Sequence, residues 1–259
     1  MQKQQRHNSL RSKTKQLVSI ACFLFLTFVF SSFSSIRVKT VKFNSLDGLE
    51  ITADEYIIDP FKPYVLLFHE QGSSRGEFST IARRLNKLDY NCLAVDLRNG
   101  GEFDYISNET AKQLREKRLE AGVDEIEQDM LAAIQYVDEK SNLPVVLFGS
   151  GANGSISLKI ACSDSTVKAV IALSPGEYFL PGLKIQDAIS SLKKPVFISS
   201  SKVELPYVSE LASGIEKDYV TLFEPKQGAG DRGSRSFSAD YEYNNEYWIA
   251  LMLFFKDLM

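Results

Sequence analysis

Residues 145–155, Val-Val-Leu-Phe-Gly-Ser-Gly-Ala-Asn-Gly-Ser, run from an apolar stretch straight into three closely spaced glycines. The pattern reads as a strand, a tight turn and a helix, the repeating unit of an α/β fold. The spacing Gly149-x-Gly151-x-x-Gly154 also fits the dinucleotide-binding fingerprint. Glu177 lies 23 residues after Gly154, near where a ribose-binding acid belongs. That reading implies an oxidoreductase. The fingerprint normally opens its domain, however, and here several strands precede it.

The order of elements supports a mostly parallel sheet. Residues 37–43 and 49–56 read as paired strands around the turn at Leu46-Asp47-Gly48. Residues 64–68 and 92–96 read as short buried strands. Between them Phe78, Ile81, Leu85 and Leu88 mark an amphipathic helix. A charged helix over 109–120, read as a solvated face, precedes a second amphipathic helix marked by Ile126, Met130, Ile134 and Val137. After the 145–155 unit and its helix come strands at 168–173, 195–199 and 219–223. An aromatic helix over 244–257 closes the chain. Strands alternating with helices predict an α/β architecture with helices on both faces of the sheet.

The first 35 residues differ from the rest. They hold five basic and no acidic residues, and 17–33 form an uncharged apolar run ending in small residues. This is the layout of a secretory signal, although an uncleaved anchor has nearly the same signature. Basic flanks stay cytoplasmic, so either outcome predicts an extracytoplasmic domain over 36–259. Cys22 lies too early in the run for a lipoprotein site. The remaining chain has 25 basic and 33 acidic residues, a net of −8, and carries no basic cluster, which argues against nucleic acid as a partner. No metal-ligand spacing occurs and no cofactor is expected. Cys92 and Cys162 read as buried small residues, with one disulfide as the alternative.

Five segments, in order, resemble the α/β-hydrolase superfamily, in particular dienelactone hydrolases and small esterases. Leu66–Gly72, with His69, Glu70 and Gln71, resembles the loop that gives one oxyanion-hole N–H. Leu93–Gly101 resembles the family's A-x-D-x-R-G-x-G. Residues 149–154 resemble the nucleophile elbow, G-x-S-x-G. Lys194–Ile198 resembles the strand leading to the catalytic acid, and Gly228–Arg235 the turn carrying the catalytic histidine. The resemblance implies an α/β-hydrolase fold from about Val38 onward.

The chain departs from the family where the chemistry resides. Ester hydrolysis of this type needs a nucleophile, an imidazole to take its proton and a carboxylate to orient the imidazole. Gly151 stands at the nucleophile position and has no side chain to attack with. Making Ser150 the nucleophile would place Phe148 where the elbow needs a small residue. Arg232 aligns with the histidine, and a guanidinium is no general base at any relevant pH. His7 lies in the leader, and His69 reads as a structural histidine at a strand end. Glu204 matches the acid, and an ion pair between Glu204 and Arg232 is expected across the old site. The oxyanion donors are backbone groups, implied at Ala152 and at Glu70 or Gln71, so they survive these losses. Glu177 and Tyr178, after another strand end, are candidate pocket residues.

The resulting expectation is a disarmed hydrolase scaffold, exported or tethered. It binds a small acyl or carboxylate-type ligand or an envelope protein, and meets a membrane only through the N-terminal segment if that is uncleaved. Against it stands an active ester or amide hydrolase using Ser150 or a serine of Ser199–Ser201, and more remotely the dinucleotide-binding oxidoreductase.

Overall fold

The computed structural model describes residues 36–258. The expectations for the basic leader, the apolar run and Cys22 lie outside the described residues. Among the described residues, no helix is long and apolar enough to cross a membrane.

The strands are β1 (Arg37–Asn44), β2 (Glu50–Ile57), β3 (Tyr64–Phe68), β4 (Asn91–Val95), β5 (Glu102–Phe103), β6 (Ile106–Ser107), β7 (Val145–Ser150), β8 (Val167–Leu173), β9 (Val196–Ser199) and β10 (Val220–Phe223). Eight form one sheet in the order β1-β2-β4-β3-β7-β8-β9-β10. β1 and β2 pair antiparallel, as do β2 and β4, and all later pairs are parallel. Every residue of β3, β4 and β7 is buried, as expected for strands covered on both faces.

The helices are α1 (Ser79–Asn86), α2 (Glu109–Lys117), α3 (Val123–Asp138), α4 (Gly151–Ser163), α5 (Ile185–Ala188), α6 (Leu205–Ala212) and α7 (Asn244–Leu258). Alternate residues along the strands feed two apolar clusters, one on each face of the sheet. Leu66, Leu147 and Val170 join Ile126, Met130 and Ile134 of α3. Leu67, Phe148 and Ile171 join Leu85 of α1 and Trp248 and Leu251 of α7. Buried side chains of this size each contribute about 1.5–3 kcal/mol through removal from water.

Two departures from the sequence reading have local causes, and the cysteines follow its reading without a disulfide. The 109–120 segment is not simply a solvated face: Thr110, Ala111 and Leu114 are buried, and the Thr52 N–H donates to Thr110 Oγ1 at 3.0 Å. Its helix starts at Glu109 as expected, where Asn108 Oδ1 accepts the Ala111 N–H at 2.8 Å, and it ends early, at Lys117, because Arg118 takes a φ of 53°. The hairpin β5–β6 and the helix α5 are too short to show a period, and the eight-residue α6, which buries Val208, Leu211 and Ala212, is not singled out by the sequence reading. Cys92 and Cys162 are both free thiols, and they sit against opposite faces of the sheet.

Candidate active site

The C-terminal ends of β3, β7, β8, β9 and β10 converge on one edge, where open α/β sheets hold their ligands. The elbow is formed at the end of β7. Gly151 takes a φ of +58°, a conformation that side chains other than glycine adopt at a cost. Gly149 and Gly154 lock against each other across the turn. A Cβ on Gly149 would stand 2.7 Å from the Gly154 Cα, and one on Gly154 would stand 2.9 Å from the Gly149 carbonyl oxygen. Helix-to-strand packing thus accounts for the first and third glycines of the fingerprint spacing, and the turn itself for the second.

The space a nucleophile would fill belongs to Glu70. A Cβ built on Gly151 would meet Glu70 Oε1 at 2.9 Å and its Cδ at 3.1 Å. Glu70 is held there by Arg232, whose Nε and Nη2 both reach Glu70 Oε1 at 2.7 Å. On its other side Arg232 Nη1 donates to Glu204 Oε1 at 2.5 Å, and Nη2 donates to the Tyr178 hydroxyl at 3.0 Å. The Tyr178 ring lies 5.6 Å from the guanidinium carbon, and its hydroxyl donates to the Ser174 carbonyl at 2.8 Å. The structure therefore brings Glu204, Arg232 and Tyr178 together and adds Glu70 as a second carboxylate.

The electrostatics follow from these contacts. Burial would raise the Glu204 pKa, but hydrogen bonds from the Ser201 hydroxyl (2.8 Å) and N–H (3.1 Å), one from the Ser174 hydroxyl (2.9 Å) and the Arg232 charge outweigh it and hold it below the usual carboxylate value. Burial opposes the Arg232 charge, yet Glu70 and Tyr178 more than compensate and strengthen its hold on the proton. Ser174 has a φ of +48°, and its hydroxyl also accepts the Gly233 N–H at 2.9 Å, which fixes the loop carrying Arg232.

The other singled-out residues are placed as follows. His69 is fully buried: Nδ1 pairs with the Glu70 carbonyl at 2.8 Å, and Nε2 accepts the Leu97 N–H at 2.9 Å. With both nitrogens engaged it anchors the strand end. The Glu70 N–H is committed to Glu77 Oε2 at 2.9 Å, which leaves the exposed Gln71 and the first-turn Ala152 as the free-standing oxyanion-type donors of the expected set. Ser150 is fully buried, and its hydroxyl has no hydrogen-bond partner among the described residues. Glu177 caps α5: its two oxygens accept the N–H groups of Ile185 (2.6 Å) and Gln186 (2.8 Å). Both oxygens are thus in use at a helix start. Asp96 and Arg98, in the second resembling segment, hold structure. Asp96 binds Arg75 at 2.6 Å, and the fully buried Arg98 binds Asp129 at 2.6 and 2.9 Å.

A pocket of about 470 Å³ opens beside this cluster. Tyr178, Leu180, Tyr207 and Leu211 give it apolar lining, and Glu177, Glu204 and Arg232 are among its charged lining residues. Sequence reasoning reached Glu204, Arg232 and Tyr178 but not Glu70's side chain as the second partner. Glu70 and Arg232 are 162 positions apart, and no local pattern links them.

A model of the dienelactone hydrolase family matches residues 54–219, a range that ends before the loop carrying Arg232. No curated protein matches the chain in sequence. Among solved structures, an esterase from Pyrococcus furiosus is similar over 86% of this chain and 92% of its own, with a TM-score of 0.64 at 16% identity. A dienelactone hydrolase from Anabaena variabilis gives a TM-score of 0.64 at 16% identity, over 86% of this chain and 98% of its own. A dienelactone hydrolase-like promiscuous phosphotriesterase from metagenomic libraries gives 0.60 at 15% identity, over 86% and 99%. At these identities the likeness concerns the fold.

Proposed function

This chain belongs to the dienelactone hydrolase family, and from that membership we propose that it binds its ligand rather than hydrolysing it. One observation carries the reading: at the elbow, Gly151 offers no nucleophile, and the Glu70–Arg232 ion pair fills the space where the reacting groups would stand. A guanidinium held by two carboxylates accepts no proton from a hydroxyl. The pocket beside Tyr178 suits a small ligand with an apolar body and a carbonyl or carboxylate end. Such an end reaches Arg232 by taking the place of Glu70, and the Tyr178 hydroxyl orients it. An envelope protein presenting an acidic side chain would use the same contact. Residues 1–35 are proposed to deliver the domain to an extracytoplasmic site, which protease protection of intact cells tests.

Turnover of p-nitrophenyl acetate and butyrate by the purified full chain, alongside the G151S/R232H variant, tests the central claim. The native chain is expected to match a heat-denatured control. The double variant, in which Glu70 is freed and Glu204 faces an imidazole, is expected to show turnover. Native activity that a serine-directed phosphonate abolishes would overturn the proposal and direct attention to Ser150 and Ser199–Ser201.

A further inference from the structure

The outer face of α7 has no partner among the described residues. Tyr247, Trp248, Leu251 and Phe255 are buried in the core. Ile249, Met252 and Leu253 are 60%, 45% and 57% exposed, and their i, i+3, i+4 spacing puts them on one stripe. No charged residue falls between Glu246 and Lys256. A helix that is apolar all round is ordinarily covered on every side. With 15 residues α7 is too short to cross a bilayer. Its stripe borders a groove of about 430 Å³ against the turn at 87–90, where the Tyr90 and Phe255 rings pack 4.8 Å apart.

The groove carries a positive charge. Lys87 and Lys256 line it and form no ion pair among the described residues, whereas Asp89, the one acid of the lining, pairs with Lys62 at 3.3 Å. Asp257, exposed beside Lys256, is not part of the lining. The chain enters the domain at this same place. Ile36 packs against the cluster that holds Tyr90, Trp248 and Phe255. Val38 is in register with Tyr56, and Tyr56 with Cys92, so β1 starts at the sheet edge where β4 starts, just after Tyr90. Phe33, the last residue of the uncharged apolar run, stands three positions before Ile36, a reach of at most about 10 Å. A membrane that held this run would lie close to the α7 stripe.

We propose that this face rests on a phospholipid bilayer with anionic headgroups. Ile249, Met252 and Leu253 enter the boundary between headgroups and acyl chains, and Lys87 and Lys256 meet the phosphates. The proposal rests on the reading that residues 1–35 take the chain to a membrane and stay attached. A second copy of the chain fits the face less well, because a two-fold contact would bring Lys87 and Lys256 of both copies into one apolar interface. The pocket beside Tyr178 lies at the C-terminal ends of the parallel strands, opposite the edge where β4 starts, so a domain seated in this way turns that pocket toward water.

The full chain carrying C22S and C162S is given one labelling site, L253C on the stripe or V203C on the opposite edge of the sheet, and an environment-sensitive thiol fluorophore; the fully buried Cys92 stays unlabelled. Each chain is reconstituted into vesicles of phosphatidylcholine and phosphatidylglycerol, with and without brominated phosphatidylcholine. Flotation reports whether the chain holds the membrane, and quenching reports whether the labelled face touches it. Both chains are expected to float. Brominated lipid is expected to dim the probe at 253 about twofold or more and to leave the probe at 203 unchanged. I249S/M252S, which alters only exposed positions, is expected to cut the quenching at 253 by about half or more while flotation persists. A chain that floats with equal quenching at 253 and 203 would overturn the proposal and leave the anchor standing. A chain that does not float would overturn the anchor and this proposal with it. A blue shift at 253 without quenching would mean that protein, such as a second copy, covers the face, and would also overturn it.

Discussion

Replacing Arg232 by methionine removes the cation that Glu70 and Glu204 share. Both carboxylates reach the same planar guanidinium, so their nearest oxygens are left on the order of 5 Å apart. At an effective dielectric constant of about 20, two like charges at that distance repel by about 3 kcal/mol. The side chains are 34%, 26% and 20% exposed for Arg232, Glu70 and Glu204, so solvent screens part of both this repulsion and the lost ion pairing. The expected cost at pH 7 is about 2 kcal/mol. The sign of the pH dependence follows from Glu204. Its pKa in the native fold is depressed, so it stabilises the protein above the ordinary glutamate value and loses that contribution as pH falls through the folded value. Without Arg232 the same carboxylate faces Glu70, and its pKa moves upward. Acidification then relieves the variant while it weakens the native chain. Urea denaturation of both full chains at pH 7 and pH 4 measures this. The stability gap is expected to shrink from about 2 kcal/mol to under about 1 kcal/mol. An equal gap at both pH values, or one below about 0.5 kcal/mol at pH 7, would refute the reasoning.

Three further outcomes are expected. R98M strands Asp129 as an unpaired charge in a fully buried setting and is expected to cost about 3–5 kcal/mol in urea denaturation, most of it recovered in R98M/D129L. G151A places a Cβ at a φ of +58° and 2.9 Å from Glu70, so it is expected to lower stability by about 1–2 kcal/mol, and adding E70A is expected to recover the contact part but not the backbone part. Burial pushes the Cys92 thiol far above its ordinary pKa, so a thiol reagent at pH 8 is expected to label Cys162 first and Cys92 only on unfolding; rapid labelling of both in the folded chain would contradict this.

The alternation of apolar runs with amphipathic spacings was sufficient to read the sheet and its covering. β3 matches the expected strand residue for residue, and α3 buries the four apolar positions that marked it. Short elements were not legible, because four residues of α5 or two of β5 carry no period. At the site, positions with a local frame were readable: Gly151 from its strand–turn context, and Glu204 from its place after a strand. Among readings that depended on three-dimensional contact, the Glu204–Arg232 ion pair is present, and others were incomplete. Glu177 lines the pocket as expected, but its role as the cap of a helix start, with both oxygens in use, had no local signal. Glu70 looked like a donor of a backbone N–H, whereas that group is taken by Glu77 and its side chain is the second partner of Arg232.

The shared guanidinium also bears on how such a chain drifts over generations. On the proposed reading, regaining a working triad takes at least two substitutions, and neither is profitable by itself. Serine at position 151 collides with Glu70 for as long as Arg232 holds it. Histidine at position 232 releases Glu70 but leaves two carboxylates without their cation and no hydroxyl to activate. On that reading each intermediate is expected to be less stable than its parent and to gain no turnover. If the proposed reading holds, the ion pair works as a one-way latch: a working triad lies across a stability trough that single substitutions do not cross.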